Sequence, residues 1–261
     1  MKAAPFDYVE AGSLDEAVHL MGEAGSDGAV LAGGQTLMPL LALRVAARTR
    51  QAHARKDPLV ARHLPLMAEA LGHVGHFQTR TRGTIGGSIA LGEPAAEMPA
   101  LAVALGASVE LRSVRGTRMV PAREFYVGPY STVRADDEVL AAVHYPAWPQ
   151  NTRTLFEEVA RRQGDFALVG LLGGMVLEGG RITRAGLAWF GMGPTPVPAV
   201  AVERALAGTA PADVDVADLT RIALGEVAPG DDLHASEQYR RTVAARVFAR
   251  RMRTLLAELA A

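Results

Sequence analysis

The spacing of apolar positions predicts an α+β fold that begins with a β-α-β unit. Residues 6–10 and 29–32 have the composition of short strands, and apolar residues between them recur at helical spacing. Ser13 occupies the N-cap position of that helix and Glu16 follows three residues later, as in a capping box. The order strand, helix, strand predicts a parallel pair joined by a right-handed crossover.

The remainder of the first half is predicted to contain helices followed by a group of strands. A helical pattern covers residues 58–71, and Pro65 is expected to kink or break it. Residues 73–82 are predicted to be extended, which would place Arg80 and Arg82 on the same side. Strands are expected at residues 108–111, 117–121 and 139–144.

The second half changes character and predicts a three-stranded antiparallel sheet with helices. Glu178-Gly179-Gly180 is a predicted hairpin turn. The strands are expected at residues 155–161, 166–177 and 182–190, and the helices at residues 199–206, 216–227 and 236–259. Pro146 and Pro149 separate the two halves, so we expect domains at residues 1–148 and 149–261.

Two Gly-Gly pairs mark the candidate ligand site. Gly33-Gly34 and Gly86-Gly87 each follow an apolar run and have a hydroxyl-bearing residue close by. Glycine tolerates positive φ and close approach of a ligand, and backbone N–H groups at the start of a helix attract phosphate. Each pair alone is more often an ordinary tight turn. Together they suggest a ligand with two phosphates.

Glu97 is the acidic candidate beside the second Gly-Gly pair. A helix is expected over residues 94–105, with Pro94 in its first turn and Glu97 near its positive end. Glu97 is interpreted either as a capping acid or as an acceptor for a sugar hydroxyl of the ligand.

Composition excludes several kinds of chemistry. The chain has 261 residues and no cysteine, which excludes disulfides, a thiolate nucleophile and a cysteine-ligated iron–sulfur cluster within this chain. The seven histidines form no HExxH motif, so no metal site is expected. His73 and His76 are expected to be surface or helix-end residues rather than an acid–base pair. Redox chemistry here would need an organic cofactor.

Charge and hydropathy show no general bias toward nucleic acid or a membrane, although a specific anion or nucleic-acid contact at residues 44–56 is the less favoured alternative. The net charge is −1, and no apolar run approaches the ~20 residues of a membrane-spanning helix. Residues 44–56 are basic but contain no aromatic side chain for base stacking, so they are interpreted as a solvated linker or helix face. Because the first residues form no apolar signal segment, we expect a cytoplasmic location without stable membrane insertion.

The two glycine motifs and their surroundings resemble a known family. They are similar to the AGGQS and TIGG(S/N/D) loops of the FAD-binding medium subunit of molybdenum hydroxylases, which include carbon monoxide dehydrogenase and xanthine dehydrogenase. The resembling segments are Ala32-Gly33-Gly34-Gln35-Thr36, Thr84-Ile85-Gly86-Gly87-Ser88, Glu93-Pro94-Ala95-Ala96-Glu97, residues 159–167 and residues 231–236. They occur in the family's order over almost the whole chain.

The resemblance implies a fold, a cofactor and a set of binding residues. The fold would be a two-subdomain FAD-binding domain, comprising a small β-α-β unit and a mixed sheet with helices, followed by a C-terminal three-stranded sheet with helices. Glu97 would contact sugar or ribityl hydroxyls, Val74 and Leu140 would pack near the isoalloxazine, and Asp165 occupies a characteristic acidic position. The pyrophosphate would be held by the two loops, which contain Ala32, Gly33, Gly34, Gln35, Thr36, Thr84, Ile85, Gly86, Gly87 and Ser88.

The resemblance also implies partners and a role in electron transfer. A small subunit with [2Fe–2S] clusters would deliver electrons, and a large subunit with the molybdenum cofactor would oxidise the substrate. The assembly implied is a dimer of heterotrimers. This chain would pass electrons through FAD to an external acceptor such as NAD or a quinone, and no side chain would be an acid, base or nucleophile.

Two departures from the family pattern keep alternatives open. Between Arg44 and Pro58 the family has a longer segment with two strands, and Glu158 stands where many relatives have lysine. Missing strands would leave sheet edges unpaired. The first alternative is therefore a degenerate structural subunit that binds no flavin. The second is a nucleotide-binding enzyme outside this family.

Overall fold

The N-terminal helix is the first element of the computed structural model, which describes residues 9–25 and 49–260. Helix α1 (Leu14–Ala24) begins after Ser13, whose Oγ accepts a hydrogen bond from the Glu16 N–H at 3.1 Å. The predicted helix and its cap are confirmed. The first Gly-Gly pair, Ala32, Gln35, Thr36 and the predicted strand at residues 29–32 lie outside the described residues, as does most of the predicted strand at residues 6–10.

Among the described residues, six short helices follow α1 before the first sheet. They are α2 (Gln51–Lys56), α3 (Pro58–His63), α4 (Pro65–Ala70), α5 (Phe77–Arg82), α6 (Ile85–Leu91) and α7 (Glu97–Ala104). Pro65 breaks the predicted helix of residues 58–71 in two, because proline is well suited to the first position of a new helix. The predicted extended segment of residues 73–82 is wrong, since it contains helix α5.

The first sheet confirms the three strands predicted there. Strands β1 (Ser108–Ser113), β2 (Gly116–Pro121) and β5 (Val139–His144) pair antiparallel in the order β2-β1-β5. Between β2 and β5 lie the short helix α8 (Ala122–Phe125) and a two-stranded ribbon of β3 (Tyr126–Gly128) and β4 (Ser131–Thr132).

The second sheet confirms the three predicted antiparallel strands and adds a short fourth. Its order is β6 (Arg153–Val159), β7 (Val169–Glu178), β8 (Arg181–Phe190) and β9 (Val197–Pro198). The β7–β8 hairpin turns at Gly179 and Gly180, whose φ angles of 57° and 75° are readily adopted by glycine. Helices α9 (Val200–Leu206), α10 (Val216–Gly225) and α11 (Glu237–Ala260) complete the chain.

The second sheet lies between two hydrophobic clusters. One cluster contains α7 and the Phe190 side chain, and the other contains Trp189 and the apolar side of α11. Neighbouring residues of a strand point to opposite faces, so both faces of this sheet are covered. The Phe190 ring packs directly over Gly170, where a Cβ would lie 2.2 Å from Cζ of the ring. Helix α7 is buried along its whole length.

A buried arginine joins α11 to the loops beside the sheet. Arg240 is 6% exposed and donates hydrogen bonds to the carbonyls of Leu168 at 2.6 Å and Gly191 at 3.0 Å. It also pairs with the Asp232 carboxylate at 2.6 Å. Within the described residues, no helix is both long and apolar enough to cross a membrane. These same ranges contain no cluster of three or more potential metal ligands among His, Asp and Glu.

Candidate functional site

The second Gly-Gly pair forms the first turn of α6. Thr84 is its N-cap, and the Thr84 Oγ1 accepts a hydrogen bond from the Gly87 N–H at 3.0 Å. Gly86 and Gly87 therefore have helical backbone conformations, and a left-handed turn is not what requires glycine here. At Gly87 a Cβ would lie 2.8 Å from the capping oxygen, so glycine allows the cap to close.

Residues 49–51 hold this turn from the other side. The Ile85 N–H donates to the Thr49 carbonyl at 3.3 Å, and the Gln51 N–H donates to the Gly83 carbonyl at 2.9 Å. Arg50 and Thr84 form an antiparallel β-bridge. Residues between Arg44 and Pro58, where the chain is shorter than the family pattern, thus supply backbone partners to the second glycine motif.

Replacing Thr84 tests the cap. We expect Thr84→Ala to lower the free energy of unfolding by about 1 kcal/mol, because the Gly87 N–H loses its acceptor. Thr84→Ser keeps the hydroxyl and serves as the matched control. Equilibrium urea denaturation of both variants measures the difference, and equal losses in the two would contradict a capping role.

Glu97 is the first residue of α7 and is 5% exposed. Burial, followed by the negative charge of Glu158, raises the pKa of Glu97 to about 8. Its own backbone N–H and the positive charge of Arg80 oppose that rise. The predicted helix starts three residues later than expected, so Pro94 precedes it and Glu97 occupies its positive end.

Arg80 fixes the loop that carries Val74. Its guanidinium donates to the carbonyls of Val74 at 2.7 Å and Gly75 at 2.8 Å. This contact needs the chain to fold back, which a helical turn at Arg80 provides and an extended segment does not. Val74 is 9% exposed and packs in the first hydrophobic cluster.

The other predicted apolar contact, Leu140, is wholly enclosed. It is 0% exposed and lies on β5 within the same cluster as Val74. The structure therefore places Leu140 in the core, with no accessible surface of its own.

Asp165 lies on the wall of a cavity of about 700 Å³ between the two halves of the chain. Glu93 and Tyr130 line it from the first half, whereas Phe166 and Asp231 line it from the second. The cavity has the volume of a small-molecule or cofactor site. Asp165 thus shares one cavity with Glu93 and Tyr130 of the first half, which sequence alone does not reveal.

Tyr130 is a residue of this cavity that the sequence analysis missed. Its φ is 53°, which is unusual for a residue with a side chain, and it is 61% exposed. A hydrogen bond with Glu93 raises the pKa of the Tyr130 hydroxyl to about 12. The signal in the sequence was the Gly-Pro pair at 128–129, which is typical of a tight turn.

The loop with Asp165 is held against the loop with Val74. Gly164 has φ of 88°, and a Cβ there would lie 2.8 Å from the His76 ring and 2.9 Å from the Gly75 carbonyl carbon. His76 is the N-cap residue of α5, which confirms a helix-end position. His73 is partly exposed, and its ring lies 4.4 Å from the Phe156 ring, measured between centroids.

These residues fit an anionic dinucleotide in chemical terms. The N–H groups of Ile85 and Gly87 already donate within the protein, so neither is free to bind a phosphate. What α6 can offer a ligand is its positive end, at the half-buried Gly87, which has no side chain. Glu158 presents a buried carboxylate oxygen, Oε2, that accepts no hydrogen bond from the described residues. A ligand hydroxyl could satisfy such an oxygen.

Family models match both halves of the chain. Residues 41–148 match the FAD binding domain in molybdopterin dehydrogenase, and residues 154–255 match the CO dehydrogenase flavoprotein C-terminal domain. The first match begins after the first Gly-Gly pair. FAD is therefore the cofactor of this domain type.

Two characterised relatives resemble the chain over most of their length. The 6-hydroxypseudooxynicotine dehydrogenase complex subunit alpha of Paenarthrobacter nicotinovorans is 32% identical over 93% of this chain and 92% of that protein. The carbon monoxide dehydrogenase medium chain of Hydrogenophaga pseudoflava is 31% identical over 98% of both. The latter alignment is 282 residues long and this chain has 261, so the relative has residues that are missing here.

Solved structures show the same fold. Carbon monoxide dehydrogenase from Hydrogenophaga pseudoflava superposes with a TM-score of 0.91 at 31% identity, covering 99% of each chain. Quinoline 2-oxidoreductase from Pseudomonas putida 86 gives 0.87 at 29% identity, again over 99% of each. The relatives are dehydrogenase subunits, so the chain is part of an oxidoreductase. It belongs to the family of FAD-binding medium subunits of molybdenum hydroxylases.

Proposed function

We propose that this chain is the electron-transfer subunit of a molybdenum hydroxylase complex. It would receive electrons from [2Fe–2S] clusters of a partner and pass them through FAD to an external acceptor. The absence of cysteine supports this division, because cysteine-ligated clusters must then belong to another chain. The observation that carries the proposal is the match of both halves of the chain to flavoprotein domains of this family.

The residues that would bind FAD fall into three groups. The positive end of α6, with Thr84, Ile85, Gly86, Gly87 and Ser88, would face the pyrophosphate together with Ala32, Gly33, Gly34, Gln35 and Thr36. Glu97 would accept a hydrogen bond from a ribityl or sugar hydroxyl. Val74 would border the isoalloxazine, Leu140 would support that wall from the core, and Asp165 would lie at its open side.

The chain's own contribution is position and exclusion of water. FAD, when bound, supplies the reversible uptake of electrons. The loops around Val74 and Gly164 are packed against each other, which keeps the two walls of the site at a fixed separation. The acceptor would approach from the cavity side, where Tyr130 and Phe166 expose aromatic surface.

The assembly would contain a small iron–sulfur subunit and a large molybdenum-cofactor subunit. Relatives are described as a medium chain and as a subunit of a dehydrogenase complex, which supports a multi-subunit enzyme. We propose a dimer of heterotrimers in the cytoplasm, with domains at residues 1–148 and 149–261 in this chain.

The shortened segment after Arg44 favours a second candidate. In it the chain is a structural subunit that binds no flavin. The hydrogen bonds from residues 49–51 to the glycine motif argue for a functional site, since that motif keeps its backbone partners.

Cofactor content separates the two candidates. We expect the full chain, expressed alone or with its partners, to purify with a flavin absorbance in the visible blue. Added FAD should raise its thermal unfolding temperature, because a ligand that binds only the folded state stabilises it. A folded, colourless chain that shows no such shift would support the structural subunit instead.

A further inference from the structure

Tyr130 occupies a turn position that favours glycine. It follows Pro129 in the turn between β3 and β4, which is flanked by the paired residues Gly128 and Ser131. A proline followed by a residue with positive φ is typical of a type II turn, in which glycine or asparagine is the usual second residue. Among the described residues, Tyr130 is the only one other than glycine with positive φ, at 53°. A side chain is unfavourable in this conformation, so tyrosine lowers the stability of the turn relative to glycine.

The turn with Tyr130 is held against the end of α6. The Tyr130 N–H donates to the Gly92 carbonyl at 3.2 Å, and Gly92 is the C-cap of that helix. A Cβ at Gly92 would lie 3.4 Å from Cγ2 of Thr132 and 3.4 Å from Cδ1 of Tyr126, so the ribbon of β3 and β4 packs closely on this glycine. The position of the turn therefore depends on the backbone and on neighbouring residues rather than on the Tyr130 side chain.

The fold makes little use of the Tyr130 side chain, which is 61% exposed. Its hydroxyl forms a hydrogen bond with Glu93, which raises the pKa of the phenol to about 12 and keeps it neutral. Glu93 also has a partner of its own, since its Oε1 accepts a hydrogen bond from the Ala95 N–H at 3.0 Å. The contact with Glu93 explains the position of the hydroxyl, but it does not explain an exposed aromatic ring on a strained backbone.

The exposed ring of Tyr130 lies on the wall of the cavity between the two halves of the chain. Phe166, which is 54% exposed, lines the same cavity from the second half. The loop with Phe166 is also held in place, because a Cβ at Gly164 would lie 2.8 Å from the His76 ring. Aromatic lining is typical of small-molecule sites, and flat conjugated rings stack on such side chains. The two residues thus offer ring surface to one ligand.

We propose that Tyr130 is a contact residue for the external electron acceptor and that its ring stacks on a planar conjugated ring of that acceptor. This assignment rests on the proposed function, in which the acceptor approaches from the cavity side. Nicotinamides and quinones share the flat ring that the contact requires. Strained backbone conformations concentrate at ligand-binding sites, where the position of a side chain matters more than its effect on stability.

Urea denaturation of the full chain separates a role in binding from a role in folding. Tyr130→Gly should leave the unfolding equilibrium constant within about threefold of the native value, because relief of the left-handed backbone offsets the greater freedom of glycine in the unfolded chain. Val127→Ala is the matched control, since Val127 is also 61% exposed and lies on β3 of the same ribbon but not on the cavity wall. A larger rise for Tyr130→Gly would show that the side chain serves the fold, and the proposal would fail.

Isothermal titration calorimetry with menadione and with NAD tests the contact itself. In the FAD-loaded, oxidised chain, Tyr130→Gly should weaken the binding of at least one probe about three- to tenfold, which corresponds to the loss of an aromatic pair. Tyr130→Phe keeps the ring and should stay within about twofold of the native affinity, and Val127→Ala should bind both probes as the native chain does. The probe that responds identifies the class of acceptor.

Three results of the calorimetry would overturn the proposal. They are no binding of either probe by the native chain, unchanged affinity for both probes in Tyr130→Gly, and an equal loss in Tyr130→Phe and Tyr130→Gly.

Titration of FAD into the apo chain, followed by flavin fluorescence, separates the acceptor from the cofactor. Tyr130→Gly should bind FAD as the native chain does, and a weaker affinity would assign the ring to a contact with FAD instead. If the native chain takes up no FAD, the proposed function fails. Titration of the same two probes into the apo chain then still decides whether Tyr130 contacts a planar ring.

Discussion

Gly164→Ala should destabilise the chain by about 2–5 kcal/mol and weaken retention of FAD. The left-handed backbone costs alanine about 1–2 kcal/mol, and overpacking against a fixed neighbour adds about 1–3 kcal/mol. The added Cβ would meet the His76 ring and the Gly75 backbone, which cannot both move without displacing α5. Because Asp165 follows directly, the wall of the cavity would shift as well.

Gly208→Ala is the matched control for that change. Gly208 has φ of 75°, similar to the 88° of Gly164, but no atom lies within 4 Å of its virtual Cβ. We expect it to lose only the backbone contribution of about 1–2 kcal/mol, with flavin content unchanged. Urea denaturation and the ratio of flavin to protein absorbance measure both effects. Equal losses in the two variants would show that contact with His76 and Gly75 is unimportant.

Arg240→Ala should cost about 2–6 kcal/mol, because two carbonyls lose their donor at about 1–3 kcal/mol each, whereas the half-exposed Asp232 can be solvated by water. The substitution leaves the carbonyls of Leu168 and Gly191 without their donor and Asp232 without its cation. Hydrogen bonds to charged groups contribute more than neutral ones, so several losses accumulate at one site. Alanine is a good helix former, and the effect therefore cannot come from α11 itself.

Arg253→Ala on the same helix is the control for Arg240→Ala. Arg253 is exposed, and its replacement should change the free energy of unfolding by less than about 0.5 kcal/mol. Thermal and urea denaturation monitored by circular dichroism distinguish the two. If Arg240→Ala lowered the free energy of unfolding no more than Arg253→Ala does, water would have replaced Arg240 as the hydrogen-bond partner of Leu168, Gly191 and Asp232.

Strands and capped helices were predictable where local chemistry and tertiary packing agree. Residues 139–144 form the predicted strand with the same limits, and Ser13 caps α1 as expected. The continuous apolar run in β7 is typical of a strand that is covered on both faces. In each case the local pattern of side chains predicts the same structure that tertiary packing stabilises.

The wrong predictions concern segments that distant parts of the chain determine. Thr79 and Thr81 favour a strand at residues 73–82, but contacts with α2 and the Arg80 hydrogen bonds to the Val74 loop accompany a helix. The second glycine motif was expected to be a loop. Its first turn is helical because Thr84 caps it and Thr49 pairs with it.

The sequence was sufficient to predict which residues belong to the site, but not how they are arranged in space. Motifs identified Glu97 and Asp165, but the burial of Glu97 depends on how the second sheet packs on α7. Tyr130 and the unpaired oxygen of Glu158 have no motif, because they depend on a turn conformation and on a neighbour from another part of the chain.

The packing of Phe190 over Gly170 also determines how strands β7 and β8 are aligned. These two residues are direct partners in the ladder, and only glycine leaves room for the ring there. A slip of one residue would send Phe190 toward the face that now holds Trp189 and place a side chain under the ring. Each face of this sheet packs against a different hydrophobic cluster, so a misaligned pairing loses packing contacts on both faces at once. The hairpin therefore has a single favourable alignment during folding.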